Sequence, residues 1–166
     1  MFPDATAKQE KGHDMFGSEL FPTLCRVLEK WAYLGPSLSA PSPLPGENIL
    51  EILVDLGGDH PGSLALRAEE PFARMLSECI RGEVSSPETG RDTLIEMANI
   101  FCSHLLTDWW GNAQSAGRPF LPRWCHLENW PREVPQAVCS VECEGHRLDI
   151  FYWGAIPTGY DGGNPQ

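Results

Sequence analysis

The segment from Ser86 to Gly111 constrains the fold more than any other, because it predicts one long helix with two different sides. Ser86 supplies a capping hydroxyl, Pro87 suits the first helical position, and Gly111 ends the pattern after Trp110. The polar side carries Asp92, Glu96, Asn99 and Ser103, and the apolar side carries Leu94, Ala98, Phe101 and Leu105. Such a helix buries its apolar side and offers its polar side to solvent or to a partner.

Two more helices are predicted earlier in the chain. Apolar residues recur at helical spacing from Met15 to Leu34, and Gly35 ends this first long amphipathic helix. Its apolar positions are Leu20, Leu24, Val27, Leu28 and Trp31. Residues 35–46 are rich in proline and predict a loop, whereas residues 71–81 predict a short helix before a capping glycine.

Two strand pairs are predicted from turn residues and from alternation of apolar and polar residues. Residues 48–55 and 63–67 flank a turn rich in glycine, and residues 138–143 and 147–153 flank Glu144-Gly145. The order of elements predicts an α+β fold in which two long helices pack on a mostly antiparallel sheet. It also predicts a faint two-fold repetition, since each long helix is followed by paired strands.

Length and composition are those of one domain with its own core, because the chain has 166 residues and 42% of them are hydrophobic. We expect a disordered segment at residues 1–14, a single domain at 15–155 and a flexible tail at 156–166. No apolar run approaches the roughly 20 residues that cross a bilayer, and no leader pattern occurs. These patterns predict a soluble, cytoplasmic protein.

The formal net charge of -11 narrows the choice of partners. Nucleic acids and anionic membranes are both bound through positive surfaces, so neither is expected here. A protein partner or a small ligand is the better expectation.

The six cysteines are expected to be free thiols, because no secretory signal accompanies them. Cys25, Cys79 and Cys102 fall on the apolar sides of predicted helices, where cysteine behaves as a small buried hydrophobic residue.

A zinc site is a competing interpretation. Its candidate ligands are Cys125, His126, Cys139, Cys143 and His146. On a strand, Cys139 and Cys143 would share a face but lie about 13 Å apart, too far to share a metal ion or a disulfide. We therefore expect no metal ion, and we interpret His60 and His104 as surface residues.

Asp92, Glu96 and Asn99 on the predicted long helix are followed, after twenty-two intervening residues, by Pro122. This spacing resembles the motif of the CheC/CheX/FliY family of chemotaxis phosphatases. The order of predicted elements also resembles CheX, over about residues 15–155. Because the first long helix lacks the motif, the chain is more similar to the single-site CheX form than to CheC, which carries the motif twice.

The resemblance implies an enzyme that hydrolyses the aspartyl phosphate of a CheY-like response regulator in two-component signalling. Asn99 would orient the attacking water, and Glu96 would pair with the active-site lysine of the receiver. Asp92 and Pro122 would be supporting residues. No cofactor of the chain's own is implied, since the receiver carries Mg²⁺, and a homodimer is implied by the same resemblance.

One position departs from the family pattern. The residue four positions after the motif asparagine is often glycine in the family, and here it is Ser103, which places a hydroxymethyl group where the receiver would dock. The alternative function is therefore a non-enzymatic, receiver-binding adaptor of the same fold. We interpret Trp109 and Trp110 as packing residues.

Overall fold

The computed structural model describes residues 19–40, 48–84, 86–111, 118–119 and 121–157. The predicted N-terminal segment 1–14 and most of the predicted tail lie outside these residues. The helices are α1 (Phe21–Ala32), α2 (Glu70–Arg81) and α3 (Pro87–Trp110), with a 3-10 turn at Leu127–Asn129. The strands are β1 (Ser37–Leu38), β2 (Ile49–Gly57), β3 (Gly62–Glu69), β4 (Arg118–Pro119), β5 (Arg123–Trp124), β6 (Ala137–Cys143) and β7 (His146–Gly154).

The strands form one sheet in the order β1-β6-β7-β3-β2-β4, and β5 also pairs with β2. Each recorded pairing is antiparallel. Both predicted hairpins are present as β2-β3 and β6-β7, and they meet through β3 and β7 at the centre of the sheet. The predicted α+β fold, with helices on a mostly antiparallel sheet, is confirmed.

The predicted two-fold repetition is visible in the topology. The first half consists of α1, β1 and the β2-β3 hairpin, and the second half consists of α3, the short strands β4 and β5, and the β6-β7 hairpin. The short strands are exchanged, because β1 pairs with β6 of the second half while β4 and β5 pair with β2 of the first. Each half therefore completes the outer edge of the other.

Alternation along the strands places the main core between the helices and one face of the sheet. In β2, for example, the buried core residues on the helix side are Leu50, Ile52, Val54 and Leu56. The opposite face carries a smaller cluster around Leu53, Trp130 and Trp153, which covers the centre of that face. The Trp130 indole N–H donates to the carbonyl of Cys125, and the Trp153 indole N–H donates to that of Glu133, both at 2.8 Å.

The first helix differs from its prediction at both ends. It begins at Phe21, and the predicted start at Met15 lies outside the described residues. It ends because Tyr33 adopts a left-handed conformation with φ of 56°, two residues before Gly35. Trp31, one of the apolar positions of the predicted amphipathic helix, is 44% exposed. The predicted loop at residues 35–46 contains β1, because Ser37 and Leu38 pair with the edge of β6.

None of the described helices combines the length and the apolar character that a bilayer-spanning helix requires.

Candidate functional site

The helix α3 begins and ends where the sequence predicts. The Ser86 hydroxyl accepts a hydrogen bond from the backbone N–H of Thr89 at 3.2 Å, which satisfies one of the open donors at the helix start. At the other end, the Gly111 N–H donates to the carbonyl of Thr107 at 2.9 Å. The 24-residue helix is therefore a long rigid support for the side chains on its surface.

The polar stripe predicted on α3 is exposed. Asp92, Glu96, Asn99 and Ser103 all face solvent, whereas the opposite positions Leu94, Ala98 and Phe101 are fully buried. Positions three and four apart on a helix have Cβ atoms about 5–6 Å apart, so Glu96 lies next to both Asp92 and Asn99.

The side chains of Glu96 and Asn99 have no recorded ion pair or hydrogen bond among the described residues. A carboxylate and a carboxamide are thus free to bind a partner from neighbouring turns of one helix. Asp92 is likewise free of such contacts, and two like charges four residues apart disfavour the helix by about 0.2–0.5 kcal/mol. This stripe therefore does not serve to stabilise α3.

Ser103 lies against the helix surface. Its hydroxyl donates to the backbone carbonyl of Asn99 at 3.0 Å, and Thr107 makes the same type of bond to the carbonyl of Ser103. A hydrogen bond to the preceding helical turn orients the hydroxyl along the helix, away from an approaching partner. Serine at this position, where the family often has glycine, therefore obstructs a docking partner less than the size of its side chain implies.

The two remaining motif residues lie in different settings. Asp92 is the sixth residue of α3, beyond the first turn in which the helix dipole favours a carboxylate, so the dipole gives it little stabilisation. Pro122 lies between β4 and β5, the two short strands that pair with β2 at the sheet edge. Strand β4 also contacts α3.

Gly90, which the sequence analysis did not single out, sets the position of the site helix. A Cβ atom at this position would lie 3.1 Å from the backbone nitrogen of Arg74 and 3.2 Å from the carbonyl carbon of Ala73 on α2. Glycine therefore lets the two helices approach closely, nearly two turns before Glu96. An isolated glycine inside a helical pattern is the signal that could have identified it.

We expect Gly90→Val to lower the free energy of unfolding by about 1–3 kcal/mol, because the side chain would push against the backbone of α2. Urea denaturation measures the change. The control is Glu88→Val, a β-branched substitution at an exposed position in the same first turn, which should cost about 0.5 kcal/mol. Equal losses for the two variants would contradict the role given to Gly90.

The C-terminal part of α3 is held by three contacts that the sequence did not reveal. The Asp108 carboxylate accepts a hydrogen bond from the Thr23 hydroxyl at 2.5 Å and pairs with Arg26, which joins α3 to α1. His60, predicted as a surface residue, is half-buried and stacks on Trp110 with ring centroids 3.6 Å apart. Trp109 is buried and packs edge-on against Tyr152, as expected of a packing residue.

The cysteines differ in environment, although none is in a disulfide among the described residues. Cys102 is buried as predicted, but Cys25 is half-buried and Cys79 is exposed. Burial raises the pKa of Cys139 to about 12 and that of Cys143 to about 11, so both thiols are protonated at neutral pH.

The candidate zinc ligands have other contacts. His126 lies 3.7 Å from the Glu51 carboxylate, which also accepts a hydrogen bond from the backbone N–H of Leu127 at 2.7 Å. These contacts hold the 3-10 turn against β2. Within the described part of the chain, no three His, Cys, Asp or Glu side chains are grouped so as to hold a metal ion.

Comparison with solved structures identifies the fold. CheX from Vibrio vulnificus aligns with a TM-score of 0.64 and 15% identity, over 84% of this chain and 96% of that one. CheX from Borrelia burgdorferi, solved as a complex with CheY, BeF₃ and Mg²⁺, aligns with a TM-score of 0.61 and 14% identity, over 82% and 95%. A CheC-like superfamily protein from Shewanella aligns with a TM-score of 0.59 and 18% identity, over 82% and 95%.

No protein-family profile matches the chain, and no curated protein sequence matches it. The structural matches nevertheless establish that the fold is that of the CheC and CheX chemotaxis proteins, as the sequence motif predicted. Within this fold the arrangement resembles CheX, since the helical motif residues Asp92, Glu96 and Asn99 lie on α3 and the sequence of the first long helix lacks their counterparts.

Proposed function

We propose that this protein is a phosphatase that removes the aspartyl phosphate from a CheY-like response regulator. The observation that carries the proposal is the pair of free side chains on α3: the exposed carboxamide of Asn99 lies one turn from the exposed carboxylate of Glu96. The fold that presents them is shared with a CheX protein whose solved structure contains CheY, BeF₃ and Mg²⁺.

The chemistry needs little from the phosphatase. An acyl phosphate is already reactive, and the receiver brings its own Mg²⁺, so the missing element is a water molecule held in line with the phosphorus. The water oxygen forms a bond to phosphorus while the bond to the aspartyl oxygen breaks. The aspartate leaves as a carboxylate with the electron pair, and the water proton passes to the phosphate product or to solvent.

Asn99 is suited to hold this water. A carboxamide can accept a hydrogen bond from the water and donate another to a phosphoryl oxygen, and it does not titrate near neutral pH. Asn99 therefore orients the nucleophile and does not act as a base. The glutamine that positions water in GTPases works on the same principle.

Glu96 is suited to dock the receiver. Its carboxylate would form a charge-assisted pair with the active-site lysine of the receiver, which places Asn99, one turn further along the helix, over the phosphorus. Asp92 adds negative charge to the same docking face. Ser103 keeps its hydroxyl on the Asn99 carbonyl and leaves that face open, and Pro122 supports the neighbouring sheet edge.

The proposed cellular location follows from that of the receiver. Receiver proteins act in the cytoplasm, so the proposed location is cytoplasmic and neither membrane nor nucleic acid takes part. The proposed site is complete on one chain. A homodimer built through the sheet, as the resemblance implies, would leave the exposed stripe of α3 available.

The test follows inorganic phosphate release from a phosphorylated CheY-like receiver encoded in the same genome, with and without the protein. We expect the rate to rise in proportion to the amount of protein, because each docked chain adds the positioned water that the receiver lacks. If the protein binds the receiver but phosphate is released at the same rate, it is a non-enzymatic adaptor and the phosphatase proposal fails.

A further inference from the structure

A groove beside Glu96 is not used by the phosphatase chemistry. It lies where α1, α2 and α3 meet, and its volume is about 130 Å³. The walls include Trp31 of α1, Ile80 of α2, and Met97 and Ile100 of α3. An apolar cavity of roughly 150 Å³ admits a benzene molecule, so this groove has room for one large apolar side chain.

The floor of the groove is buried, but two of its apolar wall residues are exposed. Trp31 and Ile80 are each 44% exposed, although both belong to the sides of their helices that approach α3. Neighbouring exposed apolar side chains that line a concavity are typical of an interaction site.

The groove has one free polar group among its described lining residues. The Thr93 hydroxyl donates to the Thr89 carbonyl at 2.8 Å and is therefore satisfied. The remaining polar group is the Glu96 carboxylate, which lines the groove and also faces solvent. A partner that fits this surface presents a cation and, directly beside it, an apolar side chain.

We propose that the groove receives one apolar side chain of the receiver, next to the lysine that pairs with Glu96. The inference rests on the proposed function, because it takes the receiver as the partner. Glu96 connects the two parts of the surface: it pairs with the lysine on its solvent side and forms the rim of the groove on the other. A second copy of this chain is a poorer occupant, since each copy has a formal net charge of -11.

The assignment gives two parts of the site different tasks. Asn99 positions the attacking water, and the groove contributes binding and selects receivers by the size of the residue beside their lysine. Loss of the groove should therefore raise KM and leave kcat nearly unchanged.

The test is the affinity for a CheY-like receiver locked with beryllofluoride and Mg²⁺, which requires no turnover. We expect Ile80→Asp to raise Kd about tenfold, because a carboxylate in the groove opposes burial of an apolar side chain. The matched control is Val84→Asp, which adds the same charge at a residue that is 87% exposed and outside the groove. It should change Kd less than about twofold.

A second pair of variants tests whether the effect of Ile80→Asp comes from misfolding. Ile80→Gln changes polarity without adding charge and should raise Kd by about threefold. Val84→Gln is its control. The proposal is overturned if Ile80→Asp and Val84→Asp have equal affinities, or if Ile80→Asp changes only the mass of the protein in solution, which would indicate a second copy in the groove.

The two proposals can fail separately. A wild-type chain that binds the locked receiver but does not speed phosphate release refutes the phosphatase and leaves the groove assignment in place. A wild-type chain that speeds release while Ile80→Asp keeps full affinity refutes only the groove.

Discussion

Asn99→Ala is expected to reduce kcat for receiver dephosphorylation by about 100-fold or more, because the attacking water loses the group that aligns it. Asn99 is exposed and its side chain has no recorded partner among the described residues, so the variant should fold as the wild type does. The affinity for a receiver locked with beryllofluoride should change little, because Asn99 acts on the water and Glu96 provides the docking contact. Phosphate release under single-turnover conditions separates the two quantities.

The matched control for this variant is Asn129→Ala. Asn129 is also exposed, and it lies in the 3-10 turn after β5 and outside α3. Removal of its carboxamide should leave the rate unchanged. If Asn99→Ala and wild type release phosphate equally fast, Asn99 does not position the water and the proposed mechanism is wrong.

Glu96→Lys is expected to raise Kd for the receiver by about 100-fold, and Glu96→Gln by about tenfold. The first substitution places a cation against the receiver's lysine, and the second removes the charge that pairs with it. Raising the ionic strength should weaken binding of the wild type more than that of Glu96→Gln, because only the wild type keeps the ion pair. Titration of the locked receiver measures each Kd.

The controls are Glu88→Lys and Glu88→Gln, which make the same changes in net charge at an exposed position on the same helix. Their effect on Kd should stay within about threefold, since Glu88 lies two turns before Glu96. Should the Glu88 variants weaken binding as strongly as the Glu96 variants, the receiver responds to overall charge and does not form the specific pair.

The site helix was predictable because its signals are local. A capping serine, a first-turn proline and a final glycine define its ends, and apolar spacing defines its buried side, so each exposed motif residue followed from the sequence. Both long hairpins were predictable for the same reason. The motif then identified the fold that the structural comparisons confirm.

The features that were not predictable from the sequence depend on contacts between distant parts of the chain. Trp31 has the spacing of a core residue, but α2 and α3 leave a groove beside it, and no local pattern reveals a space between three helices. His60 is half-buried because the β2-β3 turn reaches Trp110 at the far end of α3. The two-residue strands are too short for a periodic signal, and they exist only because the edges of β2 and β6 are available to pair with them.

The exchange of these short strands between the two halves affects how the molecule unfolds. If the two halves separated, β6 would lose β1 and β2 would lose β4 and β5, so each half would expose an unpaired strand edge. Neither half can therefore open while the other stays intact, and unfolding should be cooperative across the whole sheet. Helix α3, although it belongs to the second half by sequence, thereby draws its rigidity from both.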